Sequence, residues 1–371
     1  MPISTLIVDD TITYRKILSE AAATFPELQV VGTAPSGKLA LRKMEHTQVQ
    51  LVLLDIHMPD MDGVETLRHI KTRFPGTFVV MVSGISNRGA ETTIKALQLG
   101  ALDFIRKPDG ADARVNFQHL TGDLKPVVRL VSLRSSIQQP GSSATVRTAT
   151  TTVADSATAA PASPSSPPPS RRTPTGTLPT RFGVVAVGVS TGGPEALTKL
   201  LPLLPGSLPV PVVLVQHMPP LFTKSLAESL AKKSRLNIIE AAEGNPVQPG
   251  TVYIAPGGRH MVVRKEDTGV VIRLNDGPPE NSCRPAVDVL FRSVASVYGD
   301  SGILSVILTG MGSDGCNGVR SCKRTSCFSI TQSEPTCVVY GMPRAVDEAG
   351  LSDLSLPLEK IAETIIIKTK G

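Results

Sequence analysis

Two sets of residues in this sequence have the types and spacing to do chemistry. The first is a serine in a glycine-rich turn, Gly188-Val189-Ser190-Thr191-Gly192-Gly193, which follows an apolar run and opens a stretch of helical spacing. A serine on a tight strand-to-helix turn stands at the edge of a sheet, with backbone N–H groups nearby to hold an oxyanion. Such a nucleophile needs a base. His217 closes the next apolar run, in Val215-Gln216-His217-Met218-Pro219. Adjacent parallel strands lie ~4.8 Å apart, so residues at neighbouring strand ends come within hydrogen-bond reach. The base in turn needs an orienting carboxylate. Asp314 follows a further apolar run, in Leu308-Thr309-Gly310-Met311-Gly312-Ser313-Asp314-Gly315, where glycines permit a tight turn that lifts the acid toward the histidine. Taken singly, His217 reads as a structural histidine and Asp314 as a helix N-cap. Together they read as a Ser–His–Asp set, in a chain order unlike the Ser…Asp…His of α/β-hydrolases. A dinucleotide-binding turn is the rival reading of the glycines. It requires a second glycine where Ser190 stands and an acid after the next strand, where the chain has Gln216-His217, so both diagnostic positions are wrong.

The second set lies near the N-terminus. Asp9 and Asp10 follow the first apolar run, Asp55 follows another, Ser83 ends a further one, and Lys107 comes after the next, just before Pro108. In a parallel sheet these ends share one edge. Three clustered carboxylates repel unless a cation neutralises them, and hard oxygen ligands suit Mg²⁺. A hydroxyl and an ammonium beside them suit phosphate oxygens. Asp9 alone reads as a helix cap and Lys107 alone as a solvated loop lysine. At the ends of four strands, the five positions read as one phosphate and metal site.

The elements that position these residues show in the periodicity. Leu6–Val8, Gln29–Gly32, Val49–Leu54, Phe78–Val82 and Leu102–Ile105 read as strands, and Ile12–Ala23, Lys38–Glu45, Val64–Arg73 and Glu91–Leu99 have helical spacing. This alternation predicts a flavodoxin-like (βα)5 unit, a parallel five-stranded sheet with helices on both faces and ligands at the carboxyl ends of the strands. In the second half, Phe182–Val187, Val210–Gln216, Val252–Ala255 and Ile303–Leu308 read as strands. Leu197–Leu204, Thr223–Lys232, Ala286–Val297 and Ala345–Ala349 read as helices. Met261–Arg264 and Val270–Leu274 read as a β-hairpin insert. The expectation is a doubly wound, mostly parallel α/β domain with that insert. Of the remaining histidines, His260 stands out only as the start of a hairpin strand.

Composition bounds the rest. The chain has 371 residues, 41% hydrophobic and 19% charged, which suits two globular domains. Between them, 34 of the 46 residues of Ser135–Thr180 are Ser, Thr, Pro or Ala, too poor in large apolar side chains to fill a core, so residues 135–180 are expected as a disordered linker. The domains then span 1–134 and 181–371. No run approaches the ~18 apolar residues of a membrane helix, and the start, MPISTLIVDD, lacks the basic and apolar regions of a signal peptide. A glycosylated stalk is therefore not expected. The five cysteines are odd in number, form no C-x-x-C pair and fall in the last quarter, which argues against a disulfide framework or a zinc knuckle. A reduced, cytoplasmic protein is expected. The net charge of +6 comes without a basic block, Trp is absent and aromatics are 4%, so nucleic-acid binding is not expected. The second half has no helix-turn-helix pattern either.

Residues 1–130 resemble a two-component receiver domain through Val8-Asp9-Asp10, the stretch Leu54-Asp55-Ile56-His57-Met58-Pro59-Asp60-Met61-Asp62-Gly63, Ser83-Gly84 and Lys107-Pro108. Residues 181–350 resemble the catalytic domain of the chemotaxis protein-glutamate methylesterases, the CheB family. The matching pieces are the 188–194, 216–219, 253–257, 284–291, 308–315 and 339–343 segments, among them Gly-Val-Ser-Thr-Gly-Gly-Pro, Gln-His-Met-Pro and Leu-Thr-Gly-Met-Gly-Ser-Asp-Gly. The resemblance implies that Asp55 is the phospho-acceptor, that Asp10 and Asp55 bind Mg²⁺ with Asp9 acting through water and the His57 carbonyl completing the site, and that Ser83 and Phe104 are switch residues. Phe104 also reads as a core aromatic. It implies hydrolysis of glutamate methyl esters on chemoreceptors, with glutamine deamidation as a related activity. Ser190 would be the nucleophile, His217 the base and Asp314 its orienting acid, and the Met311 N–H and Thr191 would stabilise the oxyanion, with no cofactor for that step. A histidine kinase is the implied phosphodonor, and the implied protein is a monomer, peripheral to membrane receptors rather than inserted. A receptor-binding module without catalysis and an esterase of a non-chemotaxis pathway are the alternatives. One stretch departs from the family pattern: Val319–Gln332 is usually richer in glycine and alanine, and Cys316 stands where a small residue is common. Buried structural cysteines are the expected case there.

Overall fold

In the N-terminal unit every side chain of the third strand is buried, because helices cover both faces of the sheet and the strand has no solvent face to alternate toward. The computed structural model describes residues 2–84, 86–107, 112–137 and 178–370. The unit runs β1 (Ile3–Val8), α1 (Ile12–Ala23), β2 (Leu28–Ala34), α2 (Gly37–His46), β3 (Leu51–Asp55), α3 (Gly63–Arg73), β4 (Phe78–Ser83), α4 (Asn87–Gln98), β5 (Asp103–Arg106) and α5 (Ala113–Ile137). The strands pair in parallel in the order β2-β1-β3-β4-β5. Side-chain caps start α2, α3 and α4: Ser36 accepts from the Leu39 N–H, Asp62 from the Glu65 N–H and Ser86 from the Gly89 N–H. The expected five-stranded parallel sheet is present, with α1 at its expected bounds.

The C-terminal unit runs β6 (Val184–Val189), α6 (Gly193–Leu200), β7 (Val212–Gln216), α7 (Phe222–Ala231), β8 (Asn237–Glu240), β9 (Thr251–Ile254), β10 (His260–Glu266), β11 (Gly269–Asn275), α8 (Val287–Tyr298), β12 (Ile303–Ile307), α9 (Cys316–Cys322), β13 (Cys327–Gln332), α10 (Met342–Glu348), β14 (Leu354–Leu356) and α11 (Leu358–Thr369). Seven strands form a parallel sheet in the order β14-β13-β12-β6-β7-β9-β8, and β10 and β11 form the expected antiparallel hairpin. Strand β6 lies between β12 and β7. The chain leaves β6 toward β7 and later returns to β12 on the other side, so a crevice opens at the carboxyl ends of these three strands.

Six elements lie outside the expectations: α5, β8, α9, β13, β14 and α11. Helix α5 contains Pro126, which removes an N–H and ordinarily ends a helix. Here Leu120, Leu124, Val127 and Val131 are buried at helical spacing and hold it against the sheet. Strand β13 reads Cys-Phe-Ser-Ile-Thr-Gln with every residue buried, and its small polar residues mask the apolar run. Of the expected linker, residues 135–137 continue α5 and residues 138–177 lie outside the described residues.

The two units touch. The Phe104 ring stacks on Phe222 with centroids 4.5 Å apart. Oε1 of Gln98, at the end of α4, accepts from Ser229 Oγ at 3.1 Å and Lys233 Nζ at 2.7 Å. Val338 and Val339 pack on the apolar cluster that includes Leu120 and Leu124 of α5. Among the described residues, no helix is long and apolar enough to cross a membrane.

Candidate active site

Ser190 follows β6 directly. Its N–H donates to the Thr309 carbonyl at 3.0 Å, and its own carbonyl accepts from the Gly193 N–H at 2.8 Å and from Nε2 of Gln216 at 2.9 Å. The turn requires glycine at 192, where φ is +80° and a Cβ would lie 2.4 Å from Cβ of Val338. Gly310 is needed for a different reason: a Cβ there would come within 2.8 Å of Cβ of Ser190. The turn after β12 therefore lies directly against the serine. Next to Gly310, the Met311 N–H has no hydrogen-bond partner among the described residues and is available as a donor.

His217 sits beside Ser190 because its N–H donates to the Val189 carbonyl at 3.1 Å. Its Nε2 lies 2.7 Å from Oδ2 of Asp314, and its Nδ1 faces Sγ of Cys283 at 3.5 Å. Asp314 is buried and also accepts from the N–H groups of Val287 at 2.7 Å and Asp288 at 2.9 Å. Burial pushes the Asp314 carboxyl up, but the His217 bond and these backbone donors hold it below its usual range. Burial pulls the His217 ring down, yet its bonds to Asp314 and Cys283 outweigh this and raise it to about 9. The Ser190 hydroxyl makes no hydrogen bond among the described residues: the His217–Asp314 pair is formed at the strand end next to Ser190, and the Ser190–His217 bond is not. His260 is not part of the site. Its Nε2 lies 3.0 Å from the Pro278 carbonyl and its Nδ1 accepts from the Ala286 N–H at 3.2 Å, both structural bonds.

Thr191 faces the other unit. Its hydroxyl lies 3.4 Å from Oδ2 of Asp103, the first residue of β5. Loss of water around the Asp103 carboxyl raises it to about 6, against the lowering bonds from the Phe104 N–H and Thr191. A cleft of about 320 Å³ opens at this seam, bounded by Asp103, Phe104, Arg106 and Asp123 on one side and His217 and Pro219 on the other.

At the carboxyl edge of the first sheet, Asp9, Asp10 and Asp55 bring carboxylate oxygens within 4.8 Å of one another. Nζ of Lys107 lies 2.7 Å from Oδ2 of Asp9 and 2.8 Å from Oδ2 of Asp55. Burial raises the Asp55 pKa, against the lowering contact with Lys107. One ammonium among three carboxylates leaves the cluster negative, and its hard oxygen donors suit Mg²⁺. The His57 backbone lies close enough to Asp55 to help hold its carboxyl down. Ser83 is buried, and its Oγ accepts from Thr93 Oγ1 of α4 at 2.8 Å. Phe104 is half-buried against Phe222, an interface aromatic and not a core one.

The sequence reading missed Cys283, Asn281 and Asp288, which surround the His217–Asp314 pair, and Asp103 and Phe222, which join the units. The cysteines of the 316–337 stretch are buried, and Cys283 alone of the five is partly exposed.

An acid cluster on a five-stranded parallel sheet, docked over a Ser–His–Asp crevice, defines a hydrolase carrying its own receiver. Residues 185–365 match the CheB methylesterase family and residues 5–115 the response regulator receiver domain. Over 98% of both chains, this protein is 43% identical to a protein-glutamate methylesterase/protein-glutamine glutaminase of Desulfotalea psychrophila. It is 43% identical to the one of Symbiobacterium thermophilum, over 98% of this chain and 96% of that one. The chain belongs to this receiver-linked CheB methylesterase family. The crystal structure of the Thermotoga maritima CheB methylesterase catalytic domain is 44% identical, with 50% of this chain and 98% of that chain covered and a TM-score of 0.49.

Proposed function

We propose that this protein hydrolyses glutamate methyl esters on chemoreceptors, releasing methanol and restoring glutamate, under control of phosphorylation at Asp55. The observation that carries the reading is the 2.7 Å contact of His217 Nε2 with Asp314 at the strand end beside Ser190. Ser190 Oγ attacks the ester carbonyl and His217 takes its proton. Because Asp314 occupies Nε2, the receiving atom is Nδ1, and the Cys283 sulfur must give way to Ser190 there. The tetrahedral oxyanion is held by the Met311 N–H and by Thr191. His217 then gives the proton to the leaving methoxide, and water repeats the sequence on the acyl-serine to release glutamate. The same steps on a glutamine side chain would release ammonia.

The receiver regulates this site. Asp9, Asp10 and Asp55 would hold Mg²⁺, with the His57 carbonyl, and the ion would offset charge as phosphoryl transfers from a histidine kinase. Lys107 and Ser83 then bind the phosphoryl oxygens. For this the Ser83 hydroxyl leaves Thr93 on α4, the helix that packs on α7, and Phe104 loosens from Phe222. Docked, the receiver holds the Thr191 hydroxyl through Asp103 and covers the crevice against a receptor helix. The test is methanol release from methylated receptor membranes by the full chain, and its loss in Ser190→Ala.

A further inference from the structure

Asn281 and Ser282 are the central residues of a tight turn closed by reciprocal backbone bonds between Glu280 and Cys283, at 3.0 and 2.9 Å. Their φ angles are 52° and 63°, as in a type I′ turn, where asparagine is favoured because its short polar side chain tolerates the left-handed region. The turn aims Asn281 inward. Its Nδ2 donates to Oδ1 of Asp314 at 2.9 Å and to Oδ2 of Asp288 at 3.0 Å. Asp288 is fully buried and Asp314 nearly so. The other oxygen of Asp288 accepts the N–H groups of Gly315 at 2.9 Å and Gly318 at 2.6 Å. Two buried carboxylates thus meet at the Asn281 side-chain amide and at the Gly315 N–H, which also lies 3.0 Å from Oδ1 of Asp314.

Like charges this close drive one carboxyl to hold a proton unless donors lie between them. A proton gained by this pair removes negative charge beside Nε2 of His217, and a protonated Asp314 no longer supports an imidazolium. Oδ1 of Asp314 takes the Asn281 amide and the N–H groups of Asp288 and Gly315, and Oδ2 takes the ring together with the Val287 N–H. We propose that Asn281 is a positioning residue for the hydrolysis, its amide bridging Asp288 and Asp314 so that Asp314 stays ionised and presents Oδ2 to His217. The inference rests on the reading of His217 as the base. The other titratable groups around the pair are Cys283 on Nδ1 of His217, Cys316 near Asp288, the Glu280–Arg292 ion pair, His260, and Asp103 and Asp123 across the cleft. None of them donates to Asp314.

The full chain with Asn281→Gly keeps the left-handed turn and removes the amide. The readouts are the NMR titration of the His217 imidazole and kcat and KM on a methyl ester. His217 is expected to titrate about one pH unit lower, with the plateau kcat reached at high pH, where the base is neutral in both proteins, down roughly 10- to 100-fold and KM within about twofold. Adding Asp288→Asn removes the second carboxylate and restores both readouts toward wild type, a rescue that a merely structural turn residue would not show. If the single variant does not fold, the double variant is compared with Asp288→Asn, and equal titrations support the bridge. An unchanged His217 titration in Asn281→Gly, or a lowered one that Asp288→Asn does not restore, overturns the inference. Absence of ester hydrolysis by the wild type overturns the reading it rests on, and the titration still decides the part played by Asn281.

Discussion

The hydroxyl of Thr191 donates to Oδ2 of Asp103 at 3.4 Å. The bond joins the residue after the proposed nucleophile to the last strand of the receiver, so docking engages a proposed oxyanion group as well as lying over the crevice. Asp103 is raised from 3.8 to about 6 by loss of water around it. An acid with a raised pKa takes up a proton as the units dock, so docking strengthens as pH falls through about 6 toward 3.8 and is opposed by the ionised carboxyl above that window. Small-angle scattering of the unphosphorylated chain from pH 7 to pH 5 is expected to show a more closed molecule at the lower pH. Asp103→Asn is expected to be closed across the range, and an identical pH response in the two proteins contradicts the account.

The Phe104–Phe222 stack sets a second expectation. A stacked aromatic pair contributes about 0.5–1.5 kcal/mol beyond area burial. Phe104→Ala should therefore raise methanol release by the unphosphorylated protein about 2- to 12-fold, while the maximal phosphorylated rate stays near wild type. Unchanged basal release would mean that the stack does not hold the closed state.

His217 gives a pH prediction of two signs. Its pKa is raised from 6.5 to about 9, so the stability its charge contributes is fully present below pH 6.5 and is lost as pH rises through about 9. Hydrolysis runs the other way, because the base must be neutral. In kcat/KM profiles the rate should climb across that window as the melting temperature falls. Cys283→Ala removes one bond that holds the pKa up, so its profile should shift to lower pH. Asp314→Asn should cost kcat on the order of 10³–10⁴.

The Ser–His–Asp set and the acid cluster were legible because each residue lies at the end of an apolar strand or in the turn after it, often within glycines whose only economical explanation is a tight turn. The contacts around them were not. Asn281 and Cys283 come from a segment with no periodicity, aimed by two left-handed residues, and Asp288 reads as an ordinary first-turn helix acid. Asp103 and Phe222 look like surface and core residues until the units dock, and no periodicity in one unit encodes its register on another. The strands β8 and β14 are only four and three residues long, too short to show a pattern, and Pro126 obscured α5.

Metal removal separates the two sites. With EDTA, stimulation by a small phosphodonor should vanish while basal ester hydrolysis continues. Mg²⁺ should raise the melting temperature of the wild type through the Asp9, Asp10 and Asp55 cluster, and Asp10→Ala should lose that rise. A basal rate that falls with EDTA would place a metal in the ester site, against the mechanism given.

The most direct test of a receiver-gated Ser190 esterase is methanol release from methylated receptor membranes, with Mg²⁺, with and without a small phosphodonor. It is run on the full chain, Asp55→Ala and Ser190→Ala. The account predicts release that rises with phosphodonor in the wild type, stays at the basal rate in Asp55→Ala and is absent in Ser190→Ala. Equal stimulation in Asp55→Ala, or undiminished release by Ser190→Ala, would contradict it.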